Sequence, residues 1–306
     1  MIRNQRLNIK NQNDKPKFKK FSIHYINYVV IFAFCIVNLL SCGKKVEPAK
    51  TKRVISLVPS ITEIIYALGK DSLLVGNTIY CDYPEAAKQV YKVGDFSNPS
   101  LERILIKKPS LVFATLPEQR NIIEELKINK IDVFTSKPKS VDSLFQEILD
   151  IGKSIEATDQ ANILVTALKN KLTEIQGKNP NIIDSPKVYI EISGTPITTV
   201  GNLSYVNDLI HYAGAVNVFA DMNREYFVTN TEELIQKNPD IIIILHPLVT
   251  KAQVKKRLGW SQMTAVKKGR IYSDLNPDYF FRPGPRFIYG VEDLANIVQG
   301  VWTKKR

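Results

Sequence analysis

The chain has 306 residues, of which 44% are hydrophobic, enough for one large domain or two ordinary domains with their own cores. Its formal net charge is +12, but the first 41 residues hold seven Lys or Arg and one Asp, so the remainder has 35 basic and 29 acidic residues, or +6. The basic residues form no clustered stripe with interleaved aromatics, which argues against a nucleic-acid-binding protein.

The N-terminus has the pattern of an export signal. A basic stretch with Lys15, Lys17, Lys19 and Lys20 precedes the apolar run YVVIFAFCIVNLLSC, which is short for a membrane span and typical of a signal peptide. Its end, Leu39-Leu40-Ser41-Cys42, resembles a bacterial lipobox. We therefore expect residues 1–41 to be a lipoprotein signal peptide, Cys42 to carry lipid, and residues 42–52 to be a tether. An uncleaved membrane anchor is the alternative. Either reading predicts a membrane-anchored protein of the cell envelope or periplasm.

Cysteine usage agrees with this prediction. Cys35 would leave with the signal peptide and Cys42 would be lipidated, so Cys81 alone remains in the folded part. An internal disulfide is thereby excluded, and the domain depends on its hydrophobic core.

The first half of the chain alternates strands and helices. A strand is predicted at 53–58, followed by the pattern Ser60-Ile61-Thr62-Glu63, which predicts a capping box opening a helix that ends at Gly69. Further strands are predicted at 73–78, 110–116 and 132–136, with a helix at 117–129. This alternation favours a parallel sheet covered by helices.

Residues 140–178 have almost no Gly or Pro and place apolar residues at helical spacing, which predicts one helix or two abutting ones. A second alternating series then begins. We predict strands at 187–193, 240–246 and 269–273, a loop at 194–202, a helix at 204–214, and a final helix to the C-terminus.

One short pattern occurs twice, about 130 residues apart. SLERILIKKPSLVFA begins at Ser100 and NTEELIQKNPDIIIIL begins at Asn230, and seven positions separate Glu102 from Pro109 and Glu232 from Pro239. In each copy a helix stops at a proline before a buried strand. Because a long helical segment lies between the copies, the repetition indicates two similar lobes.

The segments RVISLVPSITEIIYALG, IYCDYPEAA, VGDFSNPSLERILIKKPSLVFA and FFRPGPR resemble class III substrate-binding proteins of ABC importers, and among them most of all the cobalamin-binding members. The resemblance implies an α/β fold with two Rossmann-like lobes, mainly parallel sheets and a ligand cleft between the lobes. The lobes would be residues 53–153 and 180–306, joined by a single long helix at 154–179. It also implies a monomer that delivers cobalamin, or alternatively haem or a ferric siderophore, to a permease and its ATPase.

Aromatic and polar residues in loops suit the wall of such a cleft. The match to IYCDYP implies that Tyr80 faces the ligand, while Phe96 and Tyr226 fall at or near positions where the family has Trp. The match to FFRPGPR implies that Asp278 and Arg282 hydrogen-bond ligand amides, carboxylates or phosphates. The remaining expected ligand contacts are Tyr279 and Phe280. For each aromatic, core packing is the alternative. We expect Arg286 to stabilise its own loop and Ser60 to serve as a helix cap.

The resemblance also implies one permease-docking glutamate on each lobe, at Glu102 and Glu232. An acidic residue in a first helical turn is favoured by the helix dipole anyway, so a single such glutamate would indicate little. Two at equivalent places on two lobes favour a two-point contact.

Other classes of protein fit less well. A metal-ion receptor would need several histidines, and the mature chain has only His211 and His246, of which His246 is a candidate haem ligand. An enzyme would need a catalytic motif, and GxSxG, HExxH, P-loop and GxGxxG patterns are all missing from the sequence. We therefore predict a binding protein without catalytic residues, metal site or cofactor.

Overall fold

The computed structural model describes residues 52–178, 185–247 and 249–303. The predicted signal peptide, Cys42 and all of the tether except Lys52 lie outside the described residues. Within the described part of the chain, no helix is both long and apolar enough to cross a membrane.

The N-terminal lobe is built on a parallel sheet. Its strands are β1 (Val54–Ser56), β2 (Leu74–Asn77), β3 (Leu111–Thr115) and β4 (Asp132–Ser136), in the order β2-β1-β3-β4. Its helices are α1 (Pro59–Ala67), α2 (Leu101–Ile106), α3 (Arg120–Ile128) and α4 (Val141–Ser154). Both faces are covered, because Val54 and Ile55 are fully buried in different core clusters. The strand order reverses at β1 and β3, which opens a crevice at their carboxyl ends.

The start of α1 differs from the predicted capping box. The helix begins at Pro59, Val58 is the N-cap residue, and no side chain caps the end. The capping-box prediction was wrong because proline, with its fixed φ and missing N–H, is well suited to the first helical position, so Ser60 and Glu63 lie inside the helix. The predicted stop at Gly69 is confirmed by its φ of +65°.

Two helices, and not one, fill residues 141–177. The second is α5 (Thr158–Gly177), which packs back onto α4 after a turn in which Glu156 has a φ of 58°. The predicted connecting helix at 154–179 therefore starts four residues later, because residues 154–157 finish α4 and make this turn. Gly152 of α4 lies so close to Ala161 of α5 that a Cβ added to Gly152 would be 2.5 Å from the Ala161 Cβ.

The C-terminal lobe contains a mixed sheet. Its strands are β5 (Lys187–Gly194), β6 (Ile197–Val200), β7 (Val216–Asn217), β8 (Tyr226–Val228), β9 (Ile241–Ile244) and β10 (Ile271–Tyr272). The order is β10-β9-β5-β6-β8, with β7 beside β5. Strands β7 and β9 run parallel to β5, whereas β6 and β8 form an antiparallel edge. The predicted loop at 194–202 therefore contains a strand, β6.

The helices of this lobe are α6 (Tyr205–Tyr212), α7 (Thr231–Lys237), α8 (Lys251–Lys255), α9 (Thr264–Lys267), α10 (Asp278–Phe281) and α11 (Phe287–Gln299). Helices α6 and α11 pack against α4 and α5. A single buried cluster therefore contains residues of both lobes, including Ile64, Ile148, Leu168, Leu209 and Leu294. This shared core joins the lobes through several helices, so α5 is not an isolated link.

Replacing Gly152 by Ala should destabilise the protein although alanine favours helices. The new methyl group would clash with Ala161, and overpacking of this kind costs about 1–3 kcal/mol. Gly177, at the end of α5, has no atom within 4 Å of an added Cβ, so Gly177→Ala is the matched control and should be neutral or stabilising by at most ~1 kcal/mol. Urea unfolding measures both variants. Equal free energies of unfolding for the two variants would contradict the close packing of α4 on α5.

Candidate functional site

A cleft between the two lobes contains a cavity of about 570 Å³. Its N-lobe wall comes from the segments after the strands: Pro59 and Ser60 follow β1, Tyr80 follows β2, Thr115 and Leu116 are at the end of β3, and residues 136–138 are at the end of β4. The C-lobe wall comes from Tyr205, Tyr226 and residues around α10. The cavity thus lies where parallel α/β sheets usually bind ligands.

Most of the residues predicted to contact the ligand line this cavity: Tyr80, Phe96, Tyr226, Asp278, Phe280 and Arg282. Tyr80 and Tyr226 are about half exposed, with 52% and 46% of their surface accessible, so their rings can be reached from the cavity. Phe280 is fully buried, so its ring also belongs to the core.

Tyr279 is not among the residues that line the cleft. It lines a second cavity of about 410 Å³ together with Tyr289 and Trp302, and its ring centroid lies 5.4 Å from that of Tyr289. The reason is the short helix α10, because consecutive helical residues point about 100° apart. Asp278 and Arg282, four positions apart, share the face toward the cleft.

The cavity also includes residues that the sequence motifs do not indicate: Glu118, Ser136, Lys137, Pro138, Tyr205, Glu225 and Phe281. A signal was available for some of them, because Ser136 ends a strand that the sequence predicted. For Glu225 no such signal existed, since the neighbouring strand β8 was not predicted. The hydrogen bond from Lys139 and the positive charge of Lys137 keep the pKa of Glu225 below its usual range.

Carboxylates of both lobes surround Arg282. Its guanidinium lies 2.6 Å from Asp82 and 3.1 Å from Asp278, with Glu63 at 3.8 Å. Partial burial raises the pKa of Asp82, but the hydrogen bond and charge of Arg282 outweigh this effect and hold the pKa below its usual range. The charge of Arg282 is therefore already compensated at the cleft surface.

Arg286 forms a buried contact between the lobes. Its guanidinium donates two hydrogen bonds to Glu63 of α1, at 2.8 and 2.5 Å, and lies over the ring of Tyr83 at 3.9 Å. Burial raises the pKa of Glu63, and Arg286 opposes this shift. From the sequence we expect Arg286 to stabilise its own loop, and in the structure it fastens that loop to the opposite lobe.

The loop and α1 approach closely at Gly284. A Cβ added there would lie 3.3 Å from the backbone oxygen of Ser60, so glycine lets the loop sit against the start of α1. Ser60 is 2% exposed and lines the cleft, and it does not serve as the predicted cap.

The two predicted docking glutamates lie away from the cavity lining. Glu102 is exposed in the first turn of α2, where Ser100 caps the helix, and Glu232 is exposed in the first turn of α7, where Asn230 caps the helix. The neighbouring Glu233 accepts a hydrogen bond from the Thr229 hydroxyl at 2.8 Å.

His246 is buried outside the cleft lining. Its Nε2 atom lies 2.8 Å from Oε1 of Glu191, which also binds Arg257. This arrangement does not support His246 as a haem ligand.

Among the described residues, no cluster of three or more His, Cys, Asp or Glu side chains has the arrangement of a metal site. Cys81 is buried with its sulfur 3.2 Å from the Thr78 hydroxyl.

Replacing Glu63 by Gln should strongly destabilise the protein. The change leaves Arg286 buried without its counter-charge, and breaking a buried ion pair in this way costs about 3–5 kcal/mol. Glu85→Gln, which removes an exposed ion pair with Lys88, is the control and should have no measurable effect. Urea unfolding compares them. If Glu63→Gln were as harmless as the control, the contact between the lobes would not have the structural role described.

Comparisons with known proteins agree with this architecture. A family model described as "Periplasmic binding protein" matches residues 54–277. The chain is 38% identical over 261 residues to the "Uncharacterized ABC transporter substrate-binding lipoprotein YvrC" of Bacillus subtilis (strain 168), covering 83% of this chain and 81% of that protein.

Two further matches extend the comparison. The "Vitamin B12-binding protein" of Vibrio vulnificus (strain YJ016) is 27% identical over 278 residues, covering 87% of this chain and 97% of that protein. A solved structure of a "possible" iron-binding, periplasmic solute-binding protein from Staphylococcus epidermidis is 30% identical with a TM-score of 0.73, covering 80% of this chain and 98% of that one. The chain therefore belongs to the periplasmic binding protein family, with the two-lobed α/β fold of its class III members.

Proposed function

We propose that this chain is the lipid-anchored binding protein of an ABC importer and captures a corrinoid such as cobalamin in the cleft between its lobes. It then delivers the ligand to the permease and its ATPase. The observation that carries the proposal is the composition of the cleft, whose walls are aromatic and whose charges largely compensate one another.

The aromatic side chains suit a flat macrocycle. Tyr80 and Phe96 line one side of the cavity and Tyr226 and Phe281 line the other. Opposing apolar and aromatic walls remove a large ring from water on both faces. The cavity opens to solvent, so the substituents of a ligand larger than 570 Å³ can project from its mouth.

The charges favour a ligand rich in amides over an anionic one. Among the described cavity residues, the cations are Lys137 and Arg282 and the acids are Glu118, Glu225 and Asp278. Arg282 already has carboxylate partners, so a ligand carboxylate would have to displace them. Corrinoid side chains end in neutral amides, which donate to the acids and accept from the hydroxyls of the cleft.

Haem and ferric siderophores are the competing ligands. The observation that favours haem is Tyr80, because a phenol oxygen is a known haem-iron ligand and this ring is half exposed in the cleft. The paired state of Arg282 disfavours haem, whose propionates need cationic partners. One relative is named for binding vitamin B12 and another for possible iron binding, so at the level of the family the names support both corrinoids and iron-containing ligands.

The proposed attachment and partners rest on sequence features. The signal peptide at 1–41 and the lipidated Cys42 lie outside the described residues, and the lipoprotein name of the B. subtilis relative supports them. Exposed Glu102 and Glu232 are proposed to bind basic residues of the permease, one from each lobe. Membership of a solute-binding family supports a transport role without catalysis.

Titration of the purified domain tests the ligand. Cyanocobalamin should bind saturably, and more tightly than haemin or a ferric siderophore. Tyr80→Ala removes part of the aromatic wall and should weaken binding roughly tenfold, as expected for loss of one stacking contact. Tyr91→Ala, at another partly exposed tyrosine outside the cavity, should have no effect. Tighter binding of haemin would replace the corrinoid assignment, and no binding of any of the three would overturn the ligand proposal.

The double variant Glu102→Lys/Glu232→Lys tests docking to the permease. Affinity for the ligand should be unchanged, whereas affinity for the permease–ATPase complex in lipid vesicles should fall at least tenfold, because two attractive ion pairs become repulsive. Glu124→Lys/Asp274→Lys places the same charges elsewhere on the two lobes and serves as the control. Equal loss in both double variants would show that net charge, and not these positions, governs docking.

A further inference from the structure

A buried carboxylate lies beside the cleft at the end of β4. Glu147 belongs to α4 and is only 8% exposed. The Ser136 hydroxyl donates a hydrogen bond to Glu147 Oε1 at 2.7 Å, and the backbone N–H of Lys137 donates to the same carboxylate. Ser136 and Lys137 both line the ligand cavity, so Glu147 is hydrogen-bonded to two residues of the cavity wall while remaining outside the lining itself.

Strand β3 holds the end of β4 from the side opposite Glu147. The Thr115 hydroxyl donates to the backbone oxygen of Ser136 at 2.8 Å. The end of β4 is therefore held between Thr115 on one side and Glu147 on the other. An ionised carboxylate accepts both of the hydrogen bonds offered to Glu147. A protonated carboxyl carries an O–H donor on one oxygen, so a donor directed at that oxygen must turn away or, in the case of the Ser136 hydroxyl, rotate to accept.

The surroundings of Glu147 allow its carboxylate to take up a proton near neutral pH. Burial raises the pKa of Glu147 to about 7, against the hydrogen bonds from Ser136 and Lys137, and the charge of Asp150 raises it further. The charged groups on neighbouring elements have other contacts: Glu63 of α1 binds Arg286, Lys169 of α5 lies over the Phe145 ring, Asp208 of α6 accepts the Val141 N–H, and Lys52 donates to the Ser154 carbonyl. Among the residues that the structure describes, none of these contacts pairs a cation with Glu147.

We propose that Glu147 is a positioning residue of the cleft, whose carboxylate holds Ser136 and Lys137 in the arrangement that binds ligand and releases them when it takes up a proton. Ligand affinity is then highest above neutral pH and falls as the medium becomes acidic. The identity of the ligand rests on the proposed function, but the control of the β4 end by Glu147 does not.

The binding test measures cyanocobalamin affinity from pH 5.5 to 8.5. The unaltered protein should lose at least fivefold in affinity on acidification, with a midpoint near 7. Glu147→Gln keeps one acceptor and cannot be protonated in this range, so its affinity should not change with pH. Asp150→Asn removes a neighbouring, exposed carboxylate of the same helix and should retain the pH dependence. An identical pH profile in the unaltered protein and Glu147→Gln would overturn the proposal.

A second measurement needs no ligand. Amide hydrogen exchange of residues 132–138, corrected for the intrinsic effect of pH, should accelerate below pH 7 in the unaltered protein but not in Glu147→Gln. If cyanocobalamin fails to bind while this difference appears, the corrinoid assignment fails and the role of Glu147 stands. If exchange is the same in both proteins at every pH, the role of Glu147 is refuted.

Thermal stability gives a third check. The pKa of Glu147 is about 7 in the folded protein, against 4.5 for an unperturbed glutamate in the unfolded chain. The stability that goes with the neutral, buried side chain is therefore fully present below pH 4.5 and is lost as pH rises through 7. Glu147→Gln should therefore melt above the unaltered protein at pH 8, and the advantage should shrink toward pH 5. A constant difference in Tm between the two proteins would contradict the buried, titrating carboxylate.

Discussion

A carboxylate from one lobe and a guanidinium from the other, Glu63 and Arg286, are buried against each other beside the cleft. Two buried charges are favourable only when the geometry is good and the remaining donors find partners, and here a two-point hydrogen bond and the Tyr83 ring meet that demand. The segment from Asp278 to Arg286 therefore sits in a fixed position on α1. That segment supplies Arg282 to the ligand cavity, so the shape of the cavity depends on this pair.

Sequence reasoning predicted the elements whose signal is local. The β-α alternation, the two lobes and the end of α1 at Gly69 all follow from apolar spacing and glycine. The strand β6 was missed because Gly194, Pro196 and Gly201 surround it with turn signals, and its role as an antiparallel edge depends on pairing with β5 and β8. The break between α4 and α5 was not located because apolar residues continue across it, and the positive φ belongs to Glu156, where no glycine marks the turn.

The same limit applies to the cleft. Tyr80 and Phe96 were predictable because large aromatics in loops after strands are unusual and carry a family likeness. Tyr279 was wrongly expected in the cleft because side chains of consecutive helical residues point about 100° apart, and a sequence motif does not show which way each one points. Glu147 was overlooked because its neighbours in the sequence suggest the polar face of an amphipathic helix, and only the packed structure shows the end of β4 covering it.

Arg282 brings its own counter-ions to the cleft in the form of Asp82 and Asp278. A neutral ligand entering such a site exchanges hydrogen bonds and buries aromatic surface, with little change in the number of free charges, so added salt should barely affect capture. The docking proposed for Glu102 and Glu232 would rely on exposed charges, which salt screens over roughly 8–10 Å. Under this proposal ionic strength separates the two halves of the transport cycle, because salt leaves ligand capture intact while it weakens docking of the loaded protein to the permease.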